Sequence, residues 1–198
     1  MDLQLTDKIA LISGSTAGIG LAIATILAQE GATVAINGRK PERVGSAMDK
    51  IRQIYPEAKL QGVTADLSTA VGAELTFQQV PVVDILVNNL GIYQAKEFGE
   101  ITDVDWMEII ETNVMSGVRL SRHYLPLMLQ QNWGRIIFIS SESALNIPAE
   151  MIHYGVTKTA QLALARGMAE TTVGSNVTVN SILAGPTKSE GVETFVQD

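Results

Sequence analysis

The chain has no cysteine among its 198 residues, so disulfides, thiolate nucleophiles and thiolate metal centres are all excluded. Histidine is nearly as scarce. His123 and His153 lie far apart and no carboxylate spacing around either reads as a ligand set, so no metal site is expected. Basic residues are in deficit: 14 Lys and Arg stand against 21 Asp and Glu, a net charge of −7. Such a chain repels phosphate backbones, and its basic residues are scattered, so no nucleic-acid partner is expected. No apolar run approaches the roughly 20 residues of a membrane span. The opening MDLQLTDKIALISG carries acids and no basic lead, which does not read as a signal peptide. A cytoplasmic setting without membrane partners is the expectation. The two tryptophans, Trp106 and Trp133, read as core or interface residues.

What the chain does have is alternation. Short β-branched runs recur at 8–13, 32–37, 59–65, 83–89, 135–141 and 176–182, several of them nearly continuous in apolar character, as in a sheet buried on both faces. Helical patterns fill the intervals, at 18–31, 40–55, 69–79, 104–131 and around Tyr154. Gly31 suits a helix end and Pro41 a helix start. Strands alternating with helices predict an α/β fold with a doubly wound parallel sheet in three αβα layers, a single domain over 1–198.

Two stretches carry chemistry. LISGSTAGIGLAIA follows the first strand and opens the first helix, with Gly14, Gly18 and Gly20 spaced G-x-x-x-G-x-G. A tight turn, close backbone approach and free helix N–H groups are what a pyrophosphate needs, so the loop predicts dinucleotide binding. At the end of the second strand, AINGRK places Gly38 where NAD enzymes usually carry an acid for the adenosine ribose, followed by Arg39. An arginine fork clasps a 2′-phosphate that a carboxylate would repel, so NADP(H) is the expected cofactor. The second stretch is YGVTK, with Tyr154 and Lys158 an i, i+4 pair that a helix stacks on one face.

Together these motifs resemble the short-chain dehydrogenase/reductase family, whose fold is of the Rossmann type, over nearly the whole chain. SGSTAGIG resembles the family's cofactor loop, with Ser15 and Ile19 beside the glycines, and ADL resembles its adenine-contacting strand end, with Asp66 and Leu67. NNLG supplies Asn89 and Gly91, with Leu90 in place of the usual alanine, and TNV supplies Asn113. RIIFISSESA supplies a serine thirteen residues before the tyrosine, Ser141 rather than Ser140. NSILAGPTKSEG resembles the segment over the nicotinamide, with Gly185, Thr187 and Ser189, although Ala184 stands where the family usually has proline. Loss of that proline is expected to leave residue 183 freer and the loop looser.

The resemblance implies an oxidoreductase interconverting a carbonyl and a secondary alcohol, with Tyr154 as general acid/base. Lys158 is expected to lower the phenol's pKa from its usual value of about 10 and to hold the nicotinamide ribose. Ser141 is expected to bind the substrate oxygen, and Asn113 to hold a water linking Lys158 to solvent. Glu142, Ile147, Met151 and Tyr93 are candidates for the substrate side, whereas His153 is read as a neighbour of the tyrosine. The resemblance also implies a homodimer or homotetramer, and a C-terminal substrate lid and last strand that this sequence is expected to lack. The alternatives are a dinucleotide-binding or sensing module without turnover and an NAD-linked dehydrogenase. Acyl thioester, steroid, sugar and xenobiotic ketones all remain open as substrates.

Overall fold

A computed structural model describes residues 3–187. Ser189 lies outside the described residues. In chain order the elements are β1 (Ile9–Ile12), α1 (Gly18–Gln29), β2 (Thr33–Gly38), α2 (Pro41–Ile54), β3 (Leu60–Thr64), α3 (Ala70–Gln79), β4 (Ile85–Asn88), α4 (Asp103–Ile110), α5 (Ser116–Gln130), β5 (Gly134–Ser141), α6 (Ile152–Glu170) and β6 (Val177–Ala184). Among the described residues the six strands form one sheet in the order β3-β2-β1-β4-β5-β6, every pair parallel. This is the doubly wound fold that the sequence predicts, with all six strands where the β-branched runs lie.

Both faces of the sheet are apolar because successive side chains point to opposite sides and the runs are continuous. Ala10, Ile12, Val34, Ile36 and Val87 pack with Ala24 and Ala28 of α1 and Val44 and Ile51 of α2. Leu11, Ala35, Leu86, Ile136 and Phe138 face the other way, against Leu120, Tyr124 and Met128 of α5 and Ala165 of α6. Each large buried side chain contributes about 1.5–3 kcal/mol of transfer free energy, so the two clusters hold the strand ends in register.

Helix starts follow local chemistry. The Thr69 hydroxyl accepts from Gly72 N–H to cap α3, and Thr102 and Asp105 cap α4 reciprocally. The long helix expected over 104–131 is instead divided. A π-helical turn at Glu111–Met115 separates α4 from α5 and contains Asn113. Such wide turns loosen the backbone ladder and free carbonyls for other partners. A 3.6-residue periodicity does not register one extra residue, so the sequence pattern runs through it.

Candidate active site

The sheet order reverses between β1 and β4, and the loops leaving the C-terminal ends of these neighbouring strands diverge there, the usual ligand crevice of such folds. The first wall is the glycine loop. Gly14 and Gly18 adopt φ of +62° and +54°, which side chains strongly disfavour. A Cβ on Gly20 would stand 2.6 Å from both the Gly14 carbonyl oxygen and Asn89 Nδ2. Helix α1 begins directly behind the loop with no acidic residue in its first turn and no side-chain cap, which leaves its N–H groups available to an anion.

Buried neutral side chains fix this loop. Asn37 Oδ1 accepts from Gly14 N–H at 3.1 Å, and its Nδ2 donates to the Val63 and Ala65 carbonyls at 3.2 and 3.1 Å. The Ser13 hydroxyl accepts from Asn89 and Leu90 N–H, each at 2.9 Å, while Asn89 Nδ2 donates back to the Ser13 and Gly14 carbonyls. Ser15 is fully buried: its hydroxyl donates to Ile12 O and accepts from Asn37 N–H, and its own N–H donates to Asn37 O. Ser15 therefore shapes the loop from behind, with its hydroxyl and its N–H both engaged by the protein. The Leu67 side chain also lies in the core. Asp66 sits at the end of β3 with its carboxylate accepting from Ser68 N–H and Oγ, and Arg39 is exposed beyond β2.

The second wall is built from β5, β6 and α6. A cavity of about 400 Å³ is lined by Ile19, Asn89, Gly91, Ser141, Tyr154, Lys158, Gly185 and Thr187 among the expected contacts, with Tyr93, Glu142 and Met151 among the substrate-side candidates. Ile147 instead packs beside Gly155, where an added Cβ would meet it at 2.6 Å. Ala184 pairs with Ser141 in the parallel register of β5 and β6. A residue with an N–H can remain in a ladder that excludes proline, and the strand continues to residue 184.

Tyr154 and Lys158 share one face of α6, with Lys158 Nζ 5.5 Å from the phenol ring centre. Burial raises the Tyr154 pKa above its usual value; a hydrogen bond shared with Ser141 draws it down and Tyr93 raises it further. The expected lowering by Lys158 is absent. The ammonium turns instead to the Ile139 carbonyl at 2.8 Å and Gln161 Oε1 at 3.3 Å. Burial drops the Lys158 pKa to about 8. Ser140 donates to the Lys158 carbonyl, so its hydroxyl is spent on packing β5 against α6.

Asn113 is 1 % exposed and borders the lysine from behind rather than the cavity. Its Oδ1 accepts from Ile92 N–H at 2.8 Å, and its Nδ2 donates to Ile92 O at 2.9 Å and Thr157 Oγ1 at 3.0 Å. Its carbonyl accepts from Gln161 Nε2 at 2.6 Å. Asn113 thus has its side-chain amide and its carbonyl engaged by Ile92, Thr157 and Gln161. His153 is buried against Trp106, with ring centres 6.0 Å apart, and does not line this cavity. Trp133 lies at the foot of β5, between Lys8 and Arg135.

Asn37, Ser13, Thr157 and Gln161 were not singled out from the sequence. A signal was available for two of them: Asn37 ends an otherwise apolar strand, and Gln161 falls three residues after Lys158 on the same helix face.

Against known proteins, the family model described as short chain dehydrogenase matches residues 8–198. The uncharacterised oxidoreductase YvaG of Bacillus subtilis is 50% identical over 99% of this chain and 74% of its own length. The 3-oxoacyl-[acyl-carrier-protein] reductase FabG of Aquifex aeolicus is 33% identical over 93% of this chain and 76% of its own. The crystal structure of L-sorbose reductase from Gluconobacter frateurii, complexed with NADPH and L-sorbose, superposes with a TM-score of 0.87 at 32% identity, over 92% of this chain and 71% of that one.

Proposed function

The chain belongs to the short-chain dehydrogenase family of oxidoreductases, and from that premise we propose that it reduces a carbonyl to a secondary alcohol with NADPH, reversibly. The observation that carries the reading is convergence: Tyr154, Lys158 and Ser141 from β5 and α6 meet Asn89 and Gly91 from the β4 loop on one cavity. The residues fit a dinucleotide. The glycine loop admits no side chain at Gly20, the start of α1 offers uncapped N–H groups, and a Cβ on Gly91 would reach within 3.5 Å of Lys158 Nζ. Gly14, Gly18, Ile19 and Gly20 would take the pyrophosphate, Asp66 and Leu67 N–H the adenine, and Asn89, Gly91, Lys158, Gly185 and Thr187 the nicotinamide end.

When bound, the cofactor supplies a hydride to the carbonyl carbon. Tyr154 delivers the proton to the carbonyl oxygen as negative charge develops there. A phenol whose pKa is raised by burial keeps its proton at neutral pH and can serve as the donor in the reductive half. Ser141 holds the same oxygen and stabilises the developing oxyanion. Lys158 stabilises the phenolate left behind, once its free N–H faces the cavity.

The phosphorylated cofactor is supported by a steric fact. A Cβ on Gly38 would lie 2.5 Å from Thr16 Cγ2 and 3.2 Å from Val44 Cγ2, so the position of the usual ribose-binding acid has no room for a side chain. Arg39 and Lys40 stand exposed beside it. We further propose a homodimer or homotetramer, supported by Val104 and Met107 of α4, which are 75% and 57% exposed. No helix among the described residues is long and apolar enough to cross a membrane.

NADPH oxidation followed at 340 nm across sugar, steroid and acyl thioester ketones tests the reading. Tyr154→Phe is expected to lower kcat by about 10³-fold or more, the scale of a lost proton donor and its hydrogen bond. Turnover unchanged in that variant overturns the assignment.

A further inference from the structure

We propose that Gln161 is a positioning residue for Lys158: its side-chain amide ties the ammonium to the carbonyl of the π-turn and leaves one N–H of the lysine for the cavity. The proposal rests on the reading of Lys158 as part of a reductase site.

The amide's orientation is fixed by its partners. A backbone carbonyl only accepts, so the Gln161 end facing Asn113 O at 2.6 Å is the NH₂ group, and Oε1 necessarily faces Lys158 Nζ at 3.3 Å. An ammonium has three donors. One goes to Ile139 O, whose residue borders the cavity, and one to Gln161 Oε1, whose residue does not, and Lys158 itself lines that cavity. Gln161 is 1 % exposed and Lys158 4%, so neither exchanges these partners for bulk water. The π-turn supplies the anchor: Asn113 is tied through its own side chain to Ile92 and to Thr157, and Thr157 donates to the Tyr154 carbonyl. Gln161 closes this circuit between the π-turn and the turn of α6 that carries the lysine.

The neutrality of the bridge matters. Around Lys158, α6 presents Tyr154, the β4 loop presents Tyr93, and the turn after β5 presents Glu142 at the exposed rim. Of the other carboxylates on α6 and the elements packed against it, Glu111 on the π-turn pairs with Arg119, Asp105 of α4 with Lys96 and Glu170 with Arg166, while Asp103 of α4 and Glu150 before α6 are exposed. Glu108 of α4 borders His153 in a separate cavity. Burial therefore sets the lysine's proton affinity without a carboxylate to raise it. An amide holds the ammonium in place and leaves it able to give up its proton near neutrality; a carboxylate at the same position would hold it charged.

The test is a titration of lysine labelled with ¹³Cε and ¹⁵Nζ, followed by NMR without cofactor, with the Lys158 signal assigned by its loss in Lys158→Met. In Gln161→Leu the charged form loses an acceptor, and its pKa is expected to fall by about one unit, a tenfold change in proton affinity. In the near-isosteric Gln161→Glu it is expected to rise by about one unit or more, which also covers a failure of the leucine variant to fold. A Lys158 pKa within about 0.3 units of wild type in the folded variants, below the shift of one lost hydrogen bond, overturns the proposal. In turnover, the limb of the kcat–pH profile is expected to move with the measured lysine pKa while the KM for NADPH changes less than threefold or so. NMR shifts as expected in a protein that reduces no carbonyl would retain Gln161 as the lysine's anchor and sink the reductase reading alone.

Discussion

Around the glycine loop the polar groups that shape the cleft are neutral and saturated, whereas across the cleft, at β5 and α6, they are titratable and desolvated. Asn37, Ser13, Ser15 and Asn89 place their donors and acceptors on backbone partners of β1, β2, β3 and β4. Nothing there changes charge near neutral pH. On the other wall, burial raises the Tyr154 phenol and lowers the Lys158 ammonium, so each is pushed toward its uncharged form. The difference teaches a division of labour. Saturated neutral groups define a rigid shape for a ligand at little solvation cost, whereas proton transfer needs groups whose charge the fold tolerates poorly.

The largest expected effect on stability falls on the neutral side. Asn37→Ala removes three side-chain hydrogen bonds, including the acceptor of Gly14 N–H. It should lower the unfolding free energy by about 2–4 kcal/mol, as read from urea denaturation. A loss under about 1 kcal/mol would mean that the loop does not depend on buried saturation.

Next comes the rim of the same wall. Arg39→Asp should reverse cofactor preference by about 10–100-fold, the worth of one charge-assisted clasp exchanged for a repulsion. Binding of NADPH and NADH monitored by fluorescence checks it, and unchanged preference for the phosphorylated form would remove Arg39 from the site.

The smaller effect on stability comes from Lys158 on the titratable wall. The folded-state pKa of Lys158, about 8, lies below its ordinary 10.5. The unfolded chain therefore binds more protons between these values, and stability rises with pH across that window. From pH 8 to 9.5 wild type should gain on the order of 1–2 kcal/mol relative to Lys158→Met. Tyr154, with its raised pKa, acts in the opposite sense only as pH passes about 10, above the measured range. A parallel pH dependence in the two proteins would mean that the lysine is not desolvated.

Much of this was legible along the chain. The six strands, the glycine loop and the Tyr154–Lys158 spacing are local patterns, and the serine spacing selected Ser141 over Ser140, whose hydroxyl proves to be engaged with Lys158 O. The π-turn was not legible, because Glu111–Met115 interrupts an apolar rhythm without breaking it. Nor was the direction of the lysine. The i, i+4 spacing puts Lys158 near the phenol but says nothing of Ile139 O and Gln161 Oε1 behind it.

Ser15 and Asn113 show the same limit from the other side: both sit in the right motifs, yet the polar atoms of Ser15 are taken by β1 and β2 and those of Asn113 by Ile92 and α6. Motif position fixes where the backbone goes; which atoms remain free depends on what packs behind it.

By itself the sequence determined the alternating architecture, the order of the motifs and the face shared by tyrosine and lysine, because periodicity and backbone preference are properties of neighbouring residues. Only the tertiary structure decided which donors face the cleft and which groups lose their hydration. Desolvation and hydrogen-bond saturation depend on contacts between residues tens of positions apart, as between Asn113 and Gln161.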